Sequence, residues 1–221
     1  MKILTSAVAA MLLAAGSAHA LTETYSQSSA MATTNWSNTF GITQFDSSLG
    51  TLNSVTLTLT GTVLGNANAE SLDAAPSTIT LNSSANITAA FLATSLSVTV
   101  SPIATVSFAA TSYDDDLDFG GTSGNSYSGL TNFSTGTGTL TSNLAAFIGT
   151  GTIDMTLSAV GTSSGSGPGN IITQFLTQGS GLATVAYDYT PTSSVPLPAG
   201  LPLLAVALGG LGLLRRRRKA A

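Results

Sequence analysis

The residues best placed to do chemistry are four carboxylates within five positions, in the run Tyr113-Asp114-Asp115-Asp116-Leu117-Asp118-Phe119-Gly120-Gly121. Carboxylates this close repel one another, and a hard cation would relieve the repulsion. Asp114, Asp116 and Asp118 have the D-x-D-x-D spacing of loops that surround calcium with oxygen ligands. The twelfth position counted from Asp114 is Asn125 rather than Glu, so the run is not an EF-hand. Two readings stand side by side. One is a calcium site on Asp114, Asp116 and Asp118. The simpler one is a solvated acidic loop that keeps an otherwise uncharged segment soluble.

A second carboxylate chemistry is glycoside hydrolysis, which needs two acids facing one groove. Asp154 and Asp188 are the candidates. Their neighbours Ile153 and Tyr187 belong to inward-facing alternations, so each Asp reads more simply as an outward strand residue. Glu23 and Glu70 are the only glutamates and Trp36 is the only tryptophan, a poor endowment for sugar cleavage. Tyr25, Trp36, Phe40, Tyr113, Tyr127 and Phe133 lie in or near expected loops and could stack on sugars. Core anchoring is the commoner role of such side chains.

The distribution of charge excludes more than it permits. The 221 residues carry a formal net charge of −4. All six bases lie near the ends: Lys2, then Arg215, Arg216, Arg217, Arg218 and Lys219. All ten acids lie between Glu23 and Asp188, and residues 21–194 contain no Lys, Arg, His or Cys. Nucleic-acid binding needs cations to displace counterions, and this segment has none. Nucleophiles activated by His or Lys are absent, as are thiols, Cys/His zinc sites and Arg clamps for anions. Cross-links between Lys and Asn cannot form. What remains is carboxylate chemistry, hard-cation binding, or no catalysis.

The two ends read as addresses. Met1-Lys2, the apolar run from Ile3 to Ala15 and the A-x-A site Ala18-His19-Ala20 form a secretory signal peptide, with cleavage expected after Ala20. At the other end Val195-Pro196-Leu197-Pro198-Ala199 precedes an apolar stretch to Leu214 and then Arg215, Arg216, Arg217, Arg218 and Lys219. The stretch is expected to be a transmembrane helix over its later part, with the cations as a cytoplasmic stop. Three prolines argue against helix at its start, and Gly209, Gly210 and Gly212 weaken it. A short, weak span suits a transient anchor that is cut, the alternative being a tail anchor that stays.

These last 27 residues resemble the VPLPA type of C-terminal sorting signal, a variant of the PEP-CTERM signals of Gram-negative bacteria. The resemblance implies an exosortase-like enzyme, membrane-embedded and thiol-dependent, that cleaves near the Pro motif. It makes Val195 to Ala199 a substrate rather than a catalyst. It also implies an inner-membrane intermediate, delivery to the cell surface or extracellular matrix, and association with biofilm exopolysaccharide.

Between the addresses, Ser and Thr make up 61 of the 174 residues from 21 to 194. Few strong helix formers and many β-branched residues argue against long helices. Period-2 alternation is plain: Val55, Leu57, Leu59 and Val63 share one face, and Thr56, Thr58, Thr60 and Thr62 the other. The same holds for Leu96, Val98 and Val100, for Ile153, Met155, Leu157 and Ala159, and for Ala183, Val185, Tyr187 and Tyr189. Alternation with one face buried favours antiparallel sheets. Turns are expected at Gly65-Asn66, Ala75-Pro76, Asn82 to Asn86, Ser101-Pro102, Gly120-Gly121, Gly136 to Gly138 and Ser163 to Asn170. They divide the segment into eight to ten strands of an antiparallel β-sandwich or jelly roll.

The opening Phe45-Asp46-Ser47-Ser48-Leu49-Gly50-Thr51-Leu52, the alternation that follows it, Asp118-Phe119-Gly120-Gly121 and the closing Ala183-Thr184-Val185-Ala186-Tyr187-Asp188-Tyr189 are similar to the choice-of-anchor β-rich domains, the E type in particular. That family is defined by attachment to varied surface anchors, so the resemblance implies an exported domain and no activity.

The expected organisation is a signal peptide at 1–20, a β domain at 21–190, a short stalk at 191–194 and a sorting signal at 195–221. The function expected is that of an exported, non-enzymatic surface or matrix protein without a required cofactor. A calcium- or carbohydrate-dependent adhesive module is the alternative.

Overall fold

The computed structural model describes residues 20–192. The leader through residue 19, the sorting motif at 195–199 and the cationic stop at 215–219 lie outside the described residues. Among the described residues no helix is long and apolar enough to cross a membrane.

The alternating runs become ten strands: β1 (Leu21–Thr33), β2 (Trp36–Thr43), β3 (Gly50–Ser71), β4 (Ser77–Phe91), β5 (Ser97–Val100), β6 (Ile103–Ala110), β7 (Gly124–Leu140), β8 (Thr152–Gly161), β9 (Ser164–Ser166) and β10 (Ile171–Pro191). A 3-10 turn at Leu144–Phe147 precedes β8. One sheet has the order β1-β10-β3-β7. In the other, β2 pairs β8 and β8 pairs β4. There β5 and β6 follow one another along one side of β4, and β8 and β9 along the other. Every strand pairing is antiparallel. Counting each broken pair as one strand gives eight strands paired first with last, second with seventh, and so inward, over two stacked sheets. This nesting is the connectivity of a jelly roll.

Burial follows the alternation read from sequence. Val55, Leu57, Leu59, Val63, Met155, Leu157, Ala159, Ala183, Val185 and Tyr187 have no exposed surface, and all sit in one core between the sheets. On the opposite, wet faces hydroxyls pair across strands instead of charges. Thr56 meets Thr139 at 3.1 Å, Thr60 meets Thr135 at 2.9 Å and Thr88 meets Thr99 at 2.8 Å. Cross-strand Thr pairs of this kind contribute roughly 0.2–1 kcal/mol each.

Three expected turns are strand interiors. Gly65-Asn66 lies within β3, opposite a point where β7 carries one extra residue and the register shifts. Asn82 to Asn86 lies inside β4, at the point where its partners change from β6 and β9 to β5 and β8. Gly136 and Gly138 lie within β7, and a Cβ on either would come within 3.1 Å of a methyl of Val98 or Val100. Polar and glycine residues here mark close approach rather than chain reversal. The breaks at Ser101-Pro102 and Gly120-Gly121 are as expected.

The chain ends leave the β domain at one pole. Leu21 pairs with Tyr189, and Pro191 pairs with Gly50. The first expected stalk residues are therefore joined to the sheet, and Thr192 N–H donates to Leu49 O at 3.3 Å. β3 runs 22 residues from this pole to the other, which at about 3.3 Å per residue is roughly 70 Å.

Aromatic packing closes the near pole. Tyr187 donates to the Thr43 carbonyl at 2.8 Å and lies edge-on to Phe45 and Phe147. Phe147 meets Phe91 edge-to-face at 4.9 Å. Such aromatic pairs add about 0.5–1.5 kcal/mol beyond burial.

Gly61 and Gly181 face each other across β3 and β10 and form a notch opposite Ile87 of β4. A Cβ on Gly61 would come within 2.7 Å of Val100 and 2.8 Å of the Ile87 Cδ1 methyl. Gly61→Ala is expected to destabilise the protein by about 1–3 kcal/mol through overpacking. Ile87→Val, which removes that methyl, should recover part of the loss, so a double-mutant cycle by denaturant unfolding is expected to be non-additive.

Candidate functional site

Charge is polarised along the domain. Glu23, Asp46, Asp154 and Asp188 lie toward the pole where the chain ends leave, as their strand positions show. Glu70, Asp73, Asp114, Asp115, Asp116 and Asp118 gather at the other pole, around the loop from β6 to β7. The long strand stretches between carry no charge.

The loop is fastened by backbone bonds. Thr111 N–H donates to Thr122 O at 2.9 Å, Tyr113 N–H to Asp73 O at 2.8 Å, and Gly124 N–H to Gly120 O at 2.8 Å. Asp115, Phe119 and Gly121 take left-handed backbone conformations. Two of the acids turn back on their own loop: Asp118 accepts from Gly120 N–H at 2.7 Å, and Asp114 from Asp116 N–H at 3.3 Å. The Ser123 hydroxyl, the Asp116 amide and the Thr122 amide beside Asp114 hold its pKa below the usual carboxylate range. Tyr113 is half-buried, and its pKa is raised by desolvation and by the charges of Asp115, Glu70, Asp114 and Asp116.

Asp114, Asp116 and Asp118 are all exposed and are not drawn into one cage. Among the described residues no group of three Asp or Glu is arranged to hold a metal ion. The spacing put them on one loop, but the loop directs two of them to its own amides.

The acid that sequence reasoning missed is Glu70. Strand parity places it outward with Asn66 and Asn68, yet it has no exposed surface. It lies at the end of β3, opposite Gly124 of β7 and Ile172 of β10. Its Oε1 accepts a 2.5 Å hydrogen bond from Ser123, which is also fully buried. Its Oε2 is buried without a hydrogen-bond partner. Local alternation holds no signal for this, because what covers Glu70 is a loop arriving from fifty residues downstream.

The other candidates stay apart. Asp154 and Asp188 lie on the outer faces of opposite sheets, since Met155 and Tyr187 beside them point into the shared core. A shallow cleft of about 500 Å³ contains Asp154 with Gln44, Leu92, Ala93, Ala146, Thr152 and Ile153, and no second acid lines it. Of the aromatics expected near loops, Tyr25, Trp36 and Phe40 pack on the main core and Tyr127 on a smaller one. Phe133 stands on the outer face of β7 with 68% of its surface exposed.

No family model and no curated protein matches the chain. Among solved structures it is similar to the T=1 particles derived from infectious bursal virus, at 14% identity over 79% of this chain, with a TM-score of 0.22. It is likewise similar to the VP2 subviral particle of infectious bursal disease virus, at 13% identity over 79% of this chain and a TM-score of 0.22. The chain spans 37% of the length of either capsid chain. Likeness at this level assigns no function.

The titratable groups fix a pH profile. Tyr25 donates to Glu23 at 2.6 Å, and that bond, with burial and the Glu23 charge, pushes its pKa up to about 12. Burial, with smaller effects of Tyr25 and Glu23, raises Tyr187 as well. Phenols whose folded pKa is raised lend stability that is complete below about pH 10 and is lost as pH climbs beyond it. Asp46, lowered by its bonds from Ser48, and Asp114 lend stability that is lost as pH falls through the carboxylate range. With no His, Lys or Cys side chain in residues 21–194, the melting temperature is expected to be nearly flat between about pH 6 and 9. It should fall on either side. A rise above pH 10 would contradict the Tyr25 and Tyr187 assignments.

Proposed function

We propose that the chain is an exported, non-enzymatic component of the cell surface or extracellular matrix. It enters the export pathway on a signal peptide cut after Ala20, and a short C-terminal helix holds it in the inner membrane. An exosortase-like enzyme then cleaves it near Val195 to Ala199. Its setting is a biofilm or exopolysaccharide. The observation that carries this reading is the ordered composition of the tail, with a Pro motif, an apolar span and a cationic stop in sequence. The placement of the domain ends is compatible with it. Leu21 and Pro191 share one pole, so cleavage at both addresses would leave an uninterrupted β domain.

An adhesive module that depends on calcium or carbohydrate is the second reading. The acidic pole, opposite the one at which Leu21 and Pro191 lie, and the exposed ring of Phe133 favour it. The outer sheet faces, rich in Thr and Ser, offer hydroxyls and methyls with little charge.

Intact-mass measurement of the protein from cell-surface and culture fractions tests the first reading. The expected species begins at Leu21 and ends between Val195 and Ala199. A mature species that still carries Arg215 to Ala221 would overturn sorting and leave an ordinary tail anchor. Replacing Pro196 and Pro198 with Ala is expected to accumulate the uncleaved, membrane-held form.

A further inference from the structure

We infer that Glu70, Ser123 and Asp114 form a divalent-cation site at the pole remote from the chain ends, with calcium as the ion that suits it. This inference is independent of export and sorting. It also differs from the D-x-D-x-D reading, because its central ligand is a strand residue outside the acidic loop.

Glu70 is, among the described residues, the one charged side chain with no exposed surface. A buried carboxylate needs all its lone pairs engaged, and an unpaired one is costly. Oε1 has the Ser123 hydroxyl, whereas Oε2 has nothing. Oε2 is aimed at the base of the acidic loop. A Cβ on Gly124 would overlap it and would come within 2.7 Å of Gly120 N. Glycine at 124 is what leaves room for the carboxylate there.

Proton counting makes the same point. The Ser123 hydroxyl has a single proton to donate. Glu70 Oε1 takes that proton, and the Asp114 carboxylate stands nearby, where a Cβ on Gly121, two residues before Ser123, would overlap its Oδ2. No donor is then left for Oε2, which stays buried without a partner. The cluster is short of one positive group, and residues 21–194 contain no Lys, Arg or His to supply it.

The donors are all hard oxygens, which selects against soft metals. Calcium accepts irregular sets of six to eight oxygens that mix carboxylates, carbonyls, hydroxyls and water, whereas magnesium demands a near-regular octahedron. Two carboxylates fall short of a three-acid cage. The affinity expected is therefore that of extracellular modules, with Kd on the order of 10⁻⁴–10⁻³ M.

Calorimetric titration with calcium chloride and thermal melting with calcium or chelator test the site. The full exported protein is expected to melt higher in millimolar calcium and to return to its starting value with chelator. Glu70→Gln and Asp114→Asn should abolish the response, and Ser123→Ala should weaken binding by about ten-fold or more, as loss of a supporting ligand does. Asp116→Asn and Asp118→Asn should keep it. No response in the wild type, with Glu70→Gln at least as stable, would refute the site. Loss of the response in Asp116→Asn or Asp118→Asn would move the ion to the loop and overturn the assignment. Terbium luminescence covers the case in which Glu70→Gln fails to fold. Tyr113 adjoins Asp114 in the chain, and its N–H is tied to the Asp73 carbonyl just past the end of β3, so it should sensitise the bound ion, and Tyr113→Phe should remove most of the signal. Emission unchanged in Tyr113→Phe would place the ion elsewhere.

Discussion

The β domain has to accommodate ten carboxylates without a single cationic side chain. No ion pair between side chains can form within residues 21–194, so acids must be solvated, bonded to amides and hydroxyls, or matched by something from outside. Most of the architecture follows from that constraint. Acids collect at the two poles, where water reaches them, and the long strands between carry none. Asp46, Asp114 and Asp118 take backbone amides from their own loops. Cohesion is left to burial and to hydroxyl pairs across strands, neither of which depends on charge.

Nested strand pairing makes that cohesion effective. Each sheet turns an apolar stripe toward the other, and side chains from β3, β4, β8 and β10 interlock in one core. The glycines that face the core are part of the interlock. Gly61 and Gly181 receive Ile87, and Gly136 and Gly138 receive Val98 and Val100. Tyr187 closes one pole by joining the interior of one sheet to the backbone at the end of β2 in the other. The opposite pole has a smaller cluster around Ala67, Ala69, Ile79 and Leu81, beneath the acidic loop.

The two poles differ in what they offer. One holds the chain ends and the aromatic closure. The other presents a loop of exposed acids over a buried, half-satisfied carboxylate. Glu70 breaks the rule that the remaining acids follow, since it is neither solvated nor fully bonded. In a chain so consistent elsewhere, an uncompensated group of this kind marks the place where an outside partner belongs.

Fold class was legible in the sequence because a half-buried strand writes its own period. Val55 to Val63, Ile153 to Ala159 and Ala183 to Tyr187 could be assigned inner and outer faces residue by residue, and the core uses those inner faces. The turns were less legible. Gly65-Asn66, Asn82 to Asn86 and Gly136 to Gly138 have turn chemistry in isolation, but two packed sheets also need glycine and small polar residues wherever backbones approach or a strand changes partners. Sequence alone also fixed the segregation of charge and the absence of His, Lys, Arg and Cys, which exclude whole classes of catalysis whatever the fold. Tertiary structure alone decided which acids meet. Asp114, Asp116 and Asp118 are neighbours in sequence, yet Asp114 and Asp118 each turn to a different amide of their own loop. Glu70 and Ser123 are 53 residues apart in sequence and meet, because a β-sheet sets neighbours by register and register is fixed by pairings across the whole chain.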